Sequence, residues 1–407
     1  MASPSRRLFM KLRVGILSPF YKNYNYGGKL QAYALVRAVE QAGCEARQIL
    51  YAQPSQKAAH PVSDRIFKVV QSSDYRSAIR QKFLGKCLMN VAGEIRQREK
   101  AIDAFDAAVP HTEQVFSDAT IARTCECFDA FICGSDQIWN PMLFKKAYYL
   151  EFVPKEMYRF SYAASIANTL GDDMRADFCR RLSGFDEISV RERNSQTELQ
   201  ELLGRNITLV VDPTLLLERA DWDSFAGEPV ITDQPYLLCY FLGYGGTPRR
   251  AAEQIARIYH LRIVTFPHML GSSGRFYWHD LSFGDSRLYD VSPQGFASLI
   301  KNAALVFTDS FHATVLSIIY QRQFLTFERI GLSGMNTRIQ DLLALYELQS
   351  RGCPINASGK RVQEIVEERI IYKGHYPRFE TLRKTSWAYL KENLQNAEDR
   401  MNENQSD

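Results

Sequence analysis

Thr308, Asp309, Ser310 and His312 sit directly behind Ala304–Phe307, an apolar run of the kind that forms a buried parallel strand. Thr308, Asp309 and Ser310 are all good helix N-cap residues. Val315, Leu316, Ile318 and Ile319 then recur at helical spacing, so Leu305–Ser317 reads as strand, tight turn and helix, with His312 in the first helical turn. In open α/β sheets ligands bind at such carboxyl ends of strands, and helix N-termini attract anions. An imidazole there is placed to handle a proton beside a phosphate or carboxylate. The same residues fit a plainer role, in which Asp309 or Ser310 caps the helix and His312 packs. The segment alone does not separate the two.

Three further polar turns follow short apolar runs. Asn25–Gly28 comes after Leu12–Leu17, Gly134–Asn140 after Phe128–Cys133, and Arg191–Arg193 after Glu187–Val190. One polar strand end is commonplace; four of them argue for a catalytic cleft onto which all four open. Each also has a structural alternative. Arg191 can pair with Glu192 or Asp186 at the surface, Asp136 can serve an Asx turn, and Trp139 can belong to the core.

The composition bounds what carries these turns. A chain of 407 residues with 45% hydrophobic and 24% charged residues reads as a globular protein of two domains. The net charge of +4 does not call for nucleic acid. No window approaches ~18 uninterrupted apolar residues, and Ser5–Lys11 lacks the apolar core of a signal peptide, so the expected location is cytoplasmic. Cys125 and Cys127 lack the spacing of a zinc knuckle, and no metal or cofactor is expected.

The first domain, 11–215, opens with a strand Leu12–Leu17, a loop Ser18–Lys29, a helix with one apolar stripe from Leu30 to Ala42, and a strand Arg47–Tyr51. The loop is neither a dinucleotide fingerprint nor a Walker A sequence. Residues 61–109 read as a helical insertion with nine basic side chains against six acids. Solvated helices packed on the sheet are the simpler reading; an amphipathic flank for a membrane surface or lipid-linked anionic substrate is the sharper one. The second domain, 216–350, repeats the strand–helix rhythm, with the helix Thr337–Leu345 near its end. Helices fill 351–396, and the tails 1–10 and 397–407 are expected to be loose. The fold class is therefore α/β, two Rossmann-like domains facing a cleft, with a helical insertion in the first domain and C-terminal helices.

At this point the chain resembles the polysaccharide pyruvyltransferases. The resemblance is carried by Asn25–Leu35, Phe131–Asn140, Tyr162–Ser165, Ile188–Glu192, Val211–Thr214, Thr308–His312 and Asn336–Ile339, seven motifs in order across roughly 12–345. It implies a GT-B-like fold and transfer of an enolpyruvyl-derived group from phosphoenolpyruvate (PEP) to two hydroxyls of one sugar, giving a cyclic ketal. Asp136, Arg191 and His312 match the family's usual functional positions.

What the resemblance implies for the remaining residues follows from PEP's chemistry. PEP brings a carboxylate and a phosphate, so Arg191, Arg338, Ser310, Gly27 and Gly28 are expected at the donor. His312 is expected as the acid/base, and Asp136 as the group that orients or deprotonates a hydroxyl. Asn25, Gln137, Trp139, Asn140 and Asp309 are expected toward the acceptor, with Trp139 offering a face for sugar stacking. Many members carry an arginine where this chain has Ser310, and Arg338 is the expected replacement. The expected acceptor is a sugar or lipid-linked saccharide of capsule, exopolysaccharide or cell-wall assembly, met at the inner membrane face by a peripheral enzyme. Two other readings share the architecture: a nucleotide-sugar GT-B glycosyltransferase using Glu328 on a ribose, and a non-catalytic glycan- or phosphate-binding homologue.

Overall fold

The computed structural model describes residues 11–52, 92–141, 145–166, 170–231, 233–243, 245–267, 278–329 and 333–404. The expected tail 1–10 and residues 61–91 of the expected insertion lie outside them. The first domain carries strands β1 (Arg13–Leu17), β2 (Glu45–Tyr51), β3 (His111–Phe116), β4 (Ala130–Cys133) and β5 (Tyr158–Ser161) in the order β3-β2-β1-β4-β5. A short pair, β6 (Ser189–Val190) and β7 (Thr208–Leu209), lies beyond β5. The second domain carries β8 (Tyr236–Tyr240), β9 (Arg262–Thr265), β10 (Ser286–Arg287), β11 (Leu305–Thr308), β12 (Phe324–Phe327) and β13 (Gly352–Cys353) in the order β10-β9-β8-β11-β12-β13. Every described pairing is parallel. The apolar runs make such strands because both faces are covered: β4, β8, β11 and β12 are buried throughout.

In each sheet the strand order reverses at one place, between β1 and β4 and between β8 and β11. Loops leaving those strands diverge and open a crevice. Leu17 is level with Cys133, and Thr308 with Tyr240, so the turns at each crevice start from one height.

The domains are joined by a dry aromatic contact. Tyr26, first residue of the helix Tyr26–Gln41, stacks on Phe296 of the second domain at 4.7 Å. It also meets Phe266 and Tyr240 edge-on at 5.6 and 5.8 Å. Its hydroxyl donates to the Val291 carbonyl at 2.9 Å. The helix Ala92–Asp106, the described part of the expected insertion, is not merely a solvated flank. Ile102 and Phe105 are core residues, and buried Arg98 lies over the Tyr26 ring and donates to the Pro267 carbonyl at 2.7 Å.

The end of the chain corrects the expectation of a loose tail from 397. One helix, Pro377–Asn404, runs through that point and packs on the first domain. Ser386, Tyr389, Leu390, Asn393, Leu394 and Ala397 form its buried stripe at helical spacing. Tyr389 donates to the Ser161 carbonyl, Asn393 accepts from Tyr158, and Arg400 pairs with Asp186 at 2.8 Å. The polar composition of 397–404 reflects the exposed face of a helix rather than disorder.

Candidate functional site

His312 stands where the sequence puts it, in the first turn of the helix Phe311–Ile319 behind β11. Ser310 is the N-cap: its hydroxyl accepts from Ala313 N, and its own N–H donates to Thr308 Oγ1 at 3.0 Å. Its oxygen thus caps the helix, and the hydroxyl hydrogen is left to donate elsewhere. The two oxygens of Asp309 accept from the N–H groups of Leu242 and Gly243, each at 2.7 Å, tying the β11 turn to the loop after β8. Burial pushes the Asp309 carboxyl up, against Arg329 and those two donors. It braces the turn through these two bonds.

The imidazole of His312 faces both domains. A Cβ on Gly27 would lie 2.1 Å from Nδ1, so only glycine lets the start of the first-domain helix approach it. Asn25 caps that helix, accepting from Gly27 N at 2.9 Å. Gly28 packs as tightly on Asn23. On the other side, Nε2 lies 3.7 Å from Asp212 Oδ2, an ion-pair distance, and has no hydrogen-bond partner among the described residues.

Arg191 is the hub of the site. Its side chain is 2% exposed and reaches Asp136 at 2.8 Å, Glu192 at 3.1 Å and Asp212 at 2.5 Å. It lies 5.4 Å from the Phe311 ring centre. Burial works against the guanidinium, but the three carboxylates outweigh it and hold its pKa above the ordinary value. The pairing with Glu192 is real, but it is part of a buried cluster rather than a surface ion pair. Asp212 also accepts from the Thr214 amide and hydroxyl at 3.0 and 2.6 Å. Burial alone would raise Asp212; His312, Arg191 and Thr214 hold it well below the usual carboxylate range.

Asp136 reaches this cluster through an unusual turn. Gly134 has φ 135° and Asp136 φ 70°, the left-handed region that aspartate tolerates better than most side chains. Buried Gln31 accepts from Ser135 N at 3.0 Å and donates to the Gly28 carbonyl at 2.9 Å, coupling the two first-domain turns. Burial opposes ionisation of Asp136, but Arg191, His312 and Arg338 prevail and lower its pKa. Gln137 is half-buried and accepts from Asn140 at 2.9 Å. Trp139 is a correction: it is 0% exposed, donates to the Tyr148 carbonyl at 3.1 Å and packs against Phe185. A fully enclosed indole has no face for a sugar, because its turn folds back under β4 onto the core.

Arg338, on the helix Ser333–Leu345, comes from the second domain to the same cluster. Its side chain is 5% exposed, yet its contacts are long: 4.0 Å to Asp136 and 3.8 Å to Glu192. Its Nε has no hydrogen-bond partner among the described residues. Burial, with the repulsion of Arg191, brings its pKa down to about 10. Ile339, Gln340 and Leu343 line a separate cavity of about 220 Å³ with Glu328, while Arg338, Asp341, Leu342 and Leu345 face the Arg191 side. Glu328 accepts from Gln340 at 3.3 Å and belongs to that other cavity.

Sequence reasoning assigned no role to Asp212, Glu192 or Arg329. Asp212 had a signal: Asp-Pro-Thr follows the run Ile207–Val211, a fifth polar turn behind an apolar run.

Two parallel α/β domains that bring their strand-end turns onto one junction, with a last helix returning to the first domain, define a GT-B fold. UDP-GlcNAc 2-epimerase from Methanocaldococcus jannaschii superposes with TM-score 0.51 at 12% identity, over 94% of this chain and 99% of that one. UDP-N-acetylglucosamine 2-epimerase from Rickettsia bellii gives 0.54 at 11% identity, over 95% and 97%. No curated protein matches the chain in sequence. The family model of polysaccharide pyruvyl transferase matches residues 25–329, 305 of the 407 positions, and the chain belongs to that family.

Proposed function

We propose that the protein transfers an enolpyruvyl-derived group from PEP to two hydroxyls of one sugar, forming a cyclic pyruvate ketal and releasing phosphate. The observation that carries this reading is the meeting, at the domain junction, of His312 with its counter-charge Asp212 and of Arg338, a buried cation short of partners. A proton donor and a guanidinium with an unpartnered Nε suit an anionic enol phosphate.

The step balances as follows. Protonated His312 gives its proton to the PEP methylene carbon, which becomes the methyl group, and the adjacent carbon becomes electrophilic. A sugar hydroxyl forms a C–O bond there and returns its proton to His312, assisted by Asp136. The C–O bond to phosphate then breaks, phosphate leaves with the bond's electron pair, and the second hydroxyl closes the ring and passes its proton to the departing phosphate. Asp212 holds the imidazole and offsets its charge, as a carboxylate does in a catalytic triad. The acceptor is proposed to be a lipid-linked saccharide of a cell-surface glycan pathway. No helix among the described residues is long and apolar enough to cross a membrane, so approach to such a lipid would be peripheral.

The test is incubation with PEP and a panel of lipid-linked and free saccharides, following phosphate release and the acceptor's mass. Phosphate released in step with an acid-labile pyruvyl adduct is the expected result. Glycosyl transfer from a nucleotide sugar, with PEP untouched, would overturn the proposal.

A further inference from the structure

We infer that Arg329 and Arg338 together grip the anionic groups of the donor, while Arg191 is a positioning residue that holds three carboxylates in place. The donor's identity rests on the reading above; the anion pair itself does not.

Arg191 has little left to offer an anion. Its guanidinium faces Asp136, Glu192 and Asp212 at 2.5–3.1 Å, and a phosphate or carboxylate brought to it would meet those three charges. Ser310 carries no charge, and its hydroxyl caps a helix.

Arg329 has the opposite character. It lies two positions beyond β12, and Asn336 clamps its backbone from both sides, accepting from Arg329 N and donating to Arg329 O, each at 3.0 Å. A Cβ on Gly243 would sit 2.8 Å from Asp309 Oδ2 and 3.2 Å from Arg329 Cγ, so the arginine stem lies along the turn that leads into Phe311 and His312. The charge of Asp309 acts on Arg329, while each of its oxygens accepts one backbone N–H group. Arg329 Nε is buried and, like Arg338 Nε and His312 Nε2, has no hydrogen-bond partner among the described residues.

Three donor-capable nitrogens left unpartnered around one turn are costly unless an anion completes them. Arg329 and Arg338 are also close enough to repel, since the charge of Arg329 helps depress Arg338. Two guanidinium forks match a molecule with both a carboxylate and a phosphate, and an anion between them relieves the repulsion.

The experiment is calorimetric titration of the full chain with PEP and, separately, with inorganic phosphate. Wild type is compared with Arg329→Gln, Arg338→Gln and Arg329→Lys, with thermal unfolding run on each to confirm the fold. Arg329→Gln and Arg338→Gln are each expected to weaken PEP binding by about 10- to 100-fold without lowering the unfolding temperature, and Arg329→Lys to recover part of the loss. A change of twofold or less in Arg329→Gln, with wild type still binding PEP, overturns the assignment of Arg329 and leaves the pyruvyltransferase reading standing. Phosphate binding by wild type that Arg329→Gln abolishes, with no PEP binding, sustains the anion pair and overturns that reading. Binding of neither ligand by wild type overturns both.

Discussion

Replacing Arg338 with methionine should make the ligand-free protein more stable while removing its response to PEP. Arg338 is a buried cation whose contacts with Asp136 and Glu192 are 4.0 and 3.8 Å and whose Nε has no hydrogen-bond partner among the described residues. Its pKa is brought down from the ordinary arginine value to about 10, a fall worth about 3 kcal/mol against the folded state wherever both states are charged. Above about pH 10, up to the ordinary arginine value, the unfolded chain binds the extra proton, so stability rises with pH there, and at neutral pH the full cost is present. Met fills a similar volume, and Asp136 and Glu192 keep Arg191 at 2.8 and 3.1 Å, so removing Arg338 orphans no carboxylate. With roughly 2.1 cal/mol/K of unfolding entropy per residue, 3 kcal/mol spread over the chain is about 3–4 °C in Tm. Wild type at 100 times the Kd of PEP should gain about 2.7 kcal/mol, a shift of similar size that the variant should lack. Differential scanning calorimetry with and without PEP reads both effects. An Arg338→Met protein that melts lower than wild type and still shifts with PEP would refute the reasoning.

Further expectations concern the neighbours of His312 and the core. His312→Asn should lower turnover by about 10²- to 10⁴-fold, read as phosphate release, while leaving PEP binding within a few-fold. Asp212→Asn should cost about 3–5 kcal/mol in urea unfolding, because it strips a buried guanidinium and imidazole of their shared counter-charge. Asp212 and Asp136 are both held below the ordinary carboxylate value, so their contribution is fully present above about pH 4 and fades as the pH falls further. The acid limb of a stability–pH profile should therefore be shallower in Asp212→Asn. Gly27→Ala, a change that normally favours a helix, should instead reduce kcat, since its methyl group must displace the imidazole. Trp139→Phe should lower stability by about 1–3 kcal/mol and leave the acceptor KM unchanged, the opposite of what a stacking platform would show.

The strand ends were readable because a polar turn after a short apolar run is a local pattern, and three of the four anticipated turns supply side chains to one cluster. The fourth, Asn25–Gly28, supplies bare backbone against His312. What the pattern could not convey was how each polar group is spent. Ser310 and Asp309 look like ligand residues in sequence, yet Ser310 caps its own helix, and Asp309 binds the loop after β8 through residues 66 and 67 positions away. Trp139 stands in a polar turn with only Ile138 between it and Gln137, and only the fold shows that its side chain is enclosed. Arg329 sits at the end of a strand without any local mark; its isolation is a property of three dimensions.

The return of the helix Pro377–Asn404 to the first domain also has a consequence for synthesis. Its partners Tyr158, Ser161 and Val211 are made long before it: Asn404 lies 189 positions after Leu215. At roughly 5–20 residues per second, the nascent first domain spends about 10 to 40 seconds with the flank of β5 uncovered. Those residues are aromatic and strand-forming, the kind of surface that chaperones hold and that aggregates when crowded. The second domain must therefore emerge beside a half-finished neighbour, and maturation is completed only when the last helix closes over it.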